Sequence, residues 1–376
     1  MKIGFDAKRA FSNKTGLGNY SRFILSQMLS LGSRFEIIAF KPKSNSLLFP
    51  GFPTHQIESS KIKLFGSFWR SFLMAFSFNK YQIKLFHGLS NELPFFVNTN
   101  ETKLIVTIHD LIFLRFPKLY NPIDKLIYTF KYRYACQKAD SIITISEQTK
   151  RDLIHYFGIS PKKIKVVYQN CSAIFYDSIT PKIQQVVKEK YSLNKPYVLC
   201  VGTIEERKNQ LNLVKAFEKC NFDDLELVLV GRGKAYKLEI EDYIATQKLN
   251  NVKILTNVVT EDLPALYQAT KLFAYVSFFE GFGIPIVEAL ASKVPILAAT
   301  GSCLEEAGGD AAIYVNPYDV TAISDVLCEI NRNESLCKQL IENGKQQILK
   351  FENKKLLEQM LKIYDEELAK MGVEQT

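Results

Sequence analysis

The segment FFEGFGIPIVEALA holds two glutamates, Glu280 and Glu288, with seven residues and a glycine turn between them. A carboxylate accepts two hydrogen bonds and suits a vicinal diol such as that of a ribose or hexose. The turn leads into a helical stretch, and its free N–H groups can hold sugar hydroxyls or phosphate oxygens. Two carboxylates and such a turn after one strand therefore point to a ligand carrying two sugars. Taken singly, either glutamate also reads as a helix-terminal charge. Upstream, Arg207 and Lys208 stand where the run YVLCVG gives way to another helical stretch. Adjacent cations beside a helix N-terminus suit a diphosphate, or else form a solvated basic pair.

Three further groups carry weaker signals. Gly231 and Gly233 bracket Arg232 after the run LELVLV, and Gly16 and Gly18 precede an amphipathic stretch. Glycine lets backbone N–H groups approach a phosphate, and it serves plain turns equally well. The dinucleotide fingerprint GxGxxG fails here, because Ser21 holds its last position. His109, in TIHDL, closes a strand-like run, where an imidazole can hydrogen-bond, carry a proton or simply pack. His87, Ser90 and Asn91 mark a second such end in HGLSNELP.

These residues need elements to position them. Strand-like runs fall at 2–7, 35–40, 84–88, 103–110, 141–146 and 165–170, and again at 197–202, 225–231, 251–256, 271–277, 295–300 and 312–316. Several are unbroken Val/Ile/Leu runs, as expected of parallel strands covered on both faces. Helical stretches separate most of them, for example 17–31, 122–138, 147–157 and 208–220. This alternation predicts an α/β chain with doubly wound parallel sheets. The rhythm falters at 171–196, so residues 1–175 form one Rossmann-like domain, 176–196 a linker and 197–351 a second domain. The end, 352–376, is expected to be a helix packing back on the first domain. Two such sheets facing across a deep cleft would bring their strand ends together, where open α/β sheets bind ligands.

Composition narrows the function classes. The chain has 376 residues, 47% hydrophobic and 23% charged, which excludes a disordered or fibrous chain. No run of about 18 uncharged apolar residues predicts a membrane span. Asp6 and Lys8 interrupt the start, which excludes a secretory signal. Seven scattered cysteines without a CxxC predict a reducing cytoplasm, with neither a disulfide framework nor a zinc site. Residues 1–178 carry 25 basic and 11 acidic side chains, whereas 179–376 carry 23 and 28. A basic half suits an anionic membrane or phosphorylated ligands, or is a solvated surface. No RNA-binding pattern accompanies it, so no nucleic-acid partner is expected.

Together the segments TGLGNY, HDL, ADSIITISEQTKRDL, VGTIEERKN, LVLVGRG and EGFGIPIVEALA resemble the retaining GT-B glycosyltransferases of the large Glu-x7-Glu family, the glycosyl transferases group 1. The resemblance spans nearly the whole chain. Its RKN form is similar to that of mannosyltransferases in bacterial surface-polysaccharide clusters. It implies that Glu288 binds the nucleotide ribose and Glu280 the hydroxyls of the transferred sugar. Arg207 and Lys208 would hold the diphosphate and stabilise the leaving group. Gly202, Gly231 and the backbone of Phe282, Gly283 and Ile284 would line the donor. Gly16 and Gly18 would lie against the diphosphate from the other domain, and His109 beside the donor sugar. Many members place Arg directly after the strand glycine and Lys about five residues later. Here Thr203 follows Gly202 and the two cations are adjacent.

The implied reaction moves a hexose, mannose before others, from a GDP- or UDP-sugar to a glycan or lipid-linked glycan, with retention and no cofactor. No two aspartates are separated by one residue, so the metal-binding DxD pattern is missing. The cations then take over the leaving-group charge. Residues 62–80, rich in aromatics and flanked by lysines, read either as an amphipathic helix on an anionic membrane or as a buried helix. The competing functions are a non-catalytic sugar-binding scaffold and a GT-B sugar-nucleotide epimerase or phosphorylase.

Overall fold

Apolar runs without polar alternation can be covered on both faces, and the computed structural model arranges them as all-parallel strands. The structure describes residues 1–13, 15–42, 49, 51–60 and 65–372. The chain divides into two compact units, Met1–Gln169 with Asn353–Thr376, and Asn170–Glu352.

Unit 1 contains β1 (Lys2–Asp6), β2 (Glu36–Lys41), β3 (Ile57–Ser59), β4 (Leu85–Gly88), β5 (Lys103–Ile108), β6 (Ser141–Thr144) and β7 (Ile164–Val166), in the sheet order β3-β2-β1-β4-β5-β6-β7. The order reverses between β1 and β4, where Phe5 pairs with His87 and Asp6 with Gly88. Phe40, Phe86, Val106, Ile108, Phe113, Ala135, Cys136 and Leu153 fill one side of the sheet. Each fully buried Val, Ile, Leu or Phe among them contributes roughly 1.5–3 kcal/mol. The helix Asn353–Ala369 belongs to this unit. It is fastened by Tyr364 Oη to His87 Nδ1 at 2.6 Å, Ser141 Oγ to Glu367 Oε1 at 2.6 Å, and Arg34 to Asp365 at 2.8 Å.

Unit 2 contains β8 (Tyr197–Val201), β9 (Glu226–Val230), β10 (Val252–Leu255), β11 (Leu272–Tyr275), β12 (Ile296–Ala299) and β13 (Ala312–Val315) in the order β10-β9-β8-β11-β12-β13. Its reversal lies between β8 and β11. Leu213, Phe217, Leu227, Leu229, Leu272, Leu297, Ile323 and Leu327 form its core.

Two segments differ from their sequence patterns. Residues 176–196 are a built part of unit 2. Thr180 caps the helix Pro181–Lys190, Gln268 Oε1 accepts from Ile179 N at 2.9 Å, and Lys190 meets Asp262 at 2.6 Å. Phe175 already packs on Tyr267, so the unit boundary falls at Gln169, ahead of residue 175. Within 62–80, residues 62–64 lie outside the described residues. The rest breaks into the short pieces Gly66–Phe68, Trp69–Leu73, Met74–Phe76 and Ser77–Tyr81, not one amphipathic helix. Trp69, Met74 and Phe78 turn into the unit 1 core, which splits the apolar residues between interior and surface.

Candidate active site

The reversal point of a parallel sheet leaves a crevice beyond the strand ends. In unit 2, β8 and β11 deliver their following loops to that place. After β8 the chain passes Gly202, at φ +152, and enters the short turn Glu206–Lys208. Asn209 then adopts φ +61, a conformation that asparagine tolerates, and opens the helix Gln210–Cys220. Its side-chain amide donates to Val276 O at 3.0 Å and Pro317 O at 2.7 Å, and Phe278 N donates to Arg207 O at 2.9 Å. These ties fix the basic turn against the loop after β11.

There Lys208, Arg207 and Glu280 converge. Lys208 Nζ lies 2.6 Å from Glu280 Oε1 and donates to Tyr275 Oη at 2.6 Å; Tyr275 in turn donates to Glu280 Oε1 at 3.1 Å. Arg207 meets Glu280 Oε2 at 2.8 Å, Phe279 O at 2.6 Å and Glu205 Oε1 at 2.5 Å. Burial alone would raise the Glu280 carboxyl, but Lys208 and Arg207 outweigh it and hold the pKa down at about 2. The Arg207 guanidinium loses solvation yet is raised by Glu280 and Glu205. Glu280 and Arg207 are thus charged at neutral pH.

The glycine turn follows. Gly283, at φ +110, precedes the helix Ile284–Ala291, and a Cβ there would lie 2.8 Å from Leu304 Cδ2. Phe282 buries its ring edge-on against Phe351, which leaves the backbone of the turn as its polar face. Glu288 accepts from Tyr267 Oη at 2.8 Å. Its surroundings remove water from the carboxyl and push it up to about 7, against that hydrogen bond. Gly231 has a packing reason for its identity. A Cβ would fall 1.8 Å from Gly202 O, and at Gly233 one would fall 2.6 Å from Ile204 O. The two loops beyond β8 and β9 approach that closely.

In unit 1 the candidates divide differently. Gly18 is held to glycine by Asn13 O, 1.9 Å from a built Cβ, whereas Gly16 faces open space at the start of the helix Gly16–Ser30. His109 is buried. Its backbone N–H donates to Asn91 Oδ1 at 2.8 Å, and its Nε2 is 2.9 Å from Leu89 O, which fixes the proton on Nε2. Burial lowers its pKa to about 4, so the ring is neutral and does not hold a spare proton near pH 7. His87 is lowered to about 3 and bridges Tyr364 Oη and Thr107 Oγ1.

Residues 15–169 match the model of Glycosyltransferase Family 4 and residues 181–347 that of Glycosyl transferases group 1. The chain is 30% identical over 273 residues to the O-antigen chain mannosyltransferase B of Escherichia coli, covering 69% of this chain and 68% of that one. It is 26% identical to the O-antigen chain mannosyltransferase RfbU of Salmonella typhimurium, over 57% of each. The chain belongs to the glycosyl transferases group 1. Its fold is that of the GT-B enzymes. The structure of Anabaena Alr3699/HepE, solved with UDP and glucose, superposes with a TM-score of 0.76 at 18% identity, over 97% of this chain and 100% of that one.

In this glycosyltransferase, sequence reasoning singled out Arg207, Lys208 and Glu280, and the fold brings them to one point. It missed Tyr275, whose only signal is a hydroxyl at the last position of an apolar strand. It also missed Tyr267, which sits in a short helix with no signal at all. The buried pair Asp6–Arg70 was missed as well, because 64 residues separate its members.

Proposed function

We propose that this glycosyltransferase transfers a hexose, mannose before others, from a nucleotide sugar to a glycan or lipid-linked glycan acceptor. Retention of anomeric configuration, independence of metal and a role in surface-polysaccharide assembly belong to the same reading. The observation that carries it is the Lys208–Tyr275–Glu280–Arg207 cluster at the β8/β11 reversal. The mannose assignment is supported by the names of the two curated relatives. Seven free thiols support a reducing, cytoplasmic setting.

The anomeric C–O bond to the diphosphate breaks, and the electron pair leaves with the phosphate. Lys208 and Arg207 meet that growing charge, strongest where water is excluded. Lys208 exchanges part of its contact with Glu280 for the phosphate, and Glu280 then accepts hydrogen bonds from the sugar hydroxyls. Glu288 takes the ribose diol. The acceptor oxygen bonds to the anomeric carbon on the face that the leaving group vacates, and its proton passes to the departing phosphate oxygen. Gly16 and His109 are kept for the donor as well, His109 through a neutral ring whose unprotonated Nδ1 can accept a hydrogen bond from a sugar hydroxyl.

A thermal-shift screen against GDP-, UDP- and ADP-sugars in EDTA tests the donor site, since a ligand of the folded state raises Tm by mass action. One nucleotide class should stabilise the protein. No shift with any of them, in the presence or absence of acceptor, would refute the reading. NMR of the product then reports retention.

A further inference from the structure

The helix Pro122–Lys138 has its apolar residues on two sides. Ala135 and Cys136 are buried, and Tyr128 and Tyr132 pack on Phe113 with ring centroids 5.9 and 5.1 Å away. At 100° per residue, Ile123, Leu126, Ile127 and Phe130 fall on the opposite side. That stripe is open to water: Ile123 is 68% exposed, Leu126 71% and Phe130 62%. It does not end at the helix. Phe130 lies 6.0 Å from Phe95, Phe95 stacks on Phe72 at 5.0 Å, and Phe72 reaches Phe68 at 4.9 Å and Phe96 at 6.3 Å. Phe96 and Phe68 are exposed too. A continuous apolar surface on unit 1 is thus built from three chain segments.

We propose that this surface docks on an anionic lipid bilayer. Charge selects this occupant. Between Ile112 and Lys138 the chain carries one acidic residue, Asp124, and six basic ones, of which Arg115 and Lys131 are paired with Asp152 and Glu92 while Lys118, Arg133 and Lys138 are left at the surface. Lys118 is exposed in the turn ahead of the helix, and Arg133 and Lys138 are exposed in its C-terminal half, flanking the stripe on either side. An apolar stripe of Ile, Leu and Phe with a basic fringe is the pattern of an interfacial helix, whose binding adds apolar burial to attraction for anionic headgroups. An aromatic-rich patch also suits a protein partner, so it is the basic fringe that favours the bilayer. No helix among the described residues is long and apolar enough to cross a membrane, so the contact is with the surface of the bilayer. Residues 62–80 read either as such a helix or as a buried one; the surface proposed here lies mainly on the helix Pro122–Lys138, with Phe68 and Phe72 as its margin.

The test is co-sedimentation of the full-length protein with phosphatidylcholine vesicles, with and without phosphatidylglycerol. Wild type should bind the phosphatidylglycerol vesicles, and less so as salt rises. The double substitution Leu126→Gln/Phe130→Gln should lower partitioning about tenfold or more. Arg133→Glu/Lys138→Glu should lower it by a similar factor on anionic vesicles only. Thermal shifts with a nucleotide sugar check that each variant remains folded, and vesicle binding needs no transfer reaction, so it stands or falls separately from the donor assignment. Absence of wild-type binding at low salt, or unchanged partitioning of Leu126→Gln/Phe130→Gln, would overturn the proposal. So would sedimentation velocity showing a dimer that the same substitution dissociates, which would make the surface an interface between copies.

Discussion

The two reversal points of this glycosyltransferase are built alike and charged differently. At β1/β4 the Arg70 guanidinium is enclosed between two carboxylates, with its Nε 2.7 Å from Asp6 and its Nη1 2.9 Å from Glu92, and Lys131 closes the chain on Glu92 at 3.0 Å. Beside it, His87 and His109 are neutral. At β8/β11 one buried carboxylate, Glu280, is shared by two cations, and the other acid, Glu205, lies toward solvent. The first arrangement satisfies each charge from within the protein. The second leaves Lys208 and Arg207 able to trade a carboxylate for a phosphate. The same sheet geometry therefore carries an internally paired ion cluster in one unit and, in the function proposed above, an anion-binding site in the other.

The strongest way to break this contrast is Glu280→Ala. It removes the one acid that both cations share and should abolish transfer, a loss of about a thousandfold or more in kcat; near-wild-type turnover would remove Glu280 from the site. Arg70→Met should act on stability instead. It leaves Asp6 buried without its partner and Glu92 with Lys131 alone, at a cost of about 3 kcal/mol, read as a lower Tm, and a variant as stable as wild type would show that the ion cluster is not a lock. Lys208→Ala should reduce kcat about a hundredfold while weakening donor binding only a few-fold, because its charge matters most as the phosphate leaves. Single-turnover rates and donor titrations separate the two.

Tyr275→Phe sharpens the comparison further. It deletes one hydroxyl between Lys208 and Glu280, and kcat should fall about tenfold with donor affinity nearly unchanged. An unaltered kcat would reduce Tyr275 to packing. The smallest effect concerns pH. Glu288 titrates near 7 in the folded protein, above its unfolded value of 4.5. Its contribution to stability is therefore present in full below about pH 4.5 and is lost as pH rises through 7. The carboxylate formed above 7 is the better acceptor for a diol, so donor affinity should tighten several-fold between about pH 6 and 8. Glu288→Gln should flatten that slope, and a slope that survives would assign it to another group.

The parallel sheets were legible because Val/Ile/Leu runs at 197–202 and 225–231 are periodic over whole elements and need no partner to be recognised. The edge strand β3 was not, since its three residues are only partly buried and carry no apolar run. Of the site, Arg207, Lys208, Glu280 and Glu288 were legible as charges at strand ends. Gly231 and Gly18 looked like ligand-facing glycines, yet each also answers to a carbonyl that packs against it. A close approach of two loops leaves no trace in the spacing of either one.

By itself the sequence determined the α/β rhythm, the family and the charged residues beyond the strands, because these depend on local order along the chain. Only the tertiary structure decided which charges meet. Lys208 and Glu280 are 72 residues apart, and the 2.6 Å between them exists because β8 and β11 are neighbours in the sheet. It also decided that His109 is neutral, since burial among distant residues sets that pKa. And it decided which face of Pro122–Lys138 stays in water, because a helix with two apolar sides can bury either one until Phe113 and the unit 1 core select the inner side.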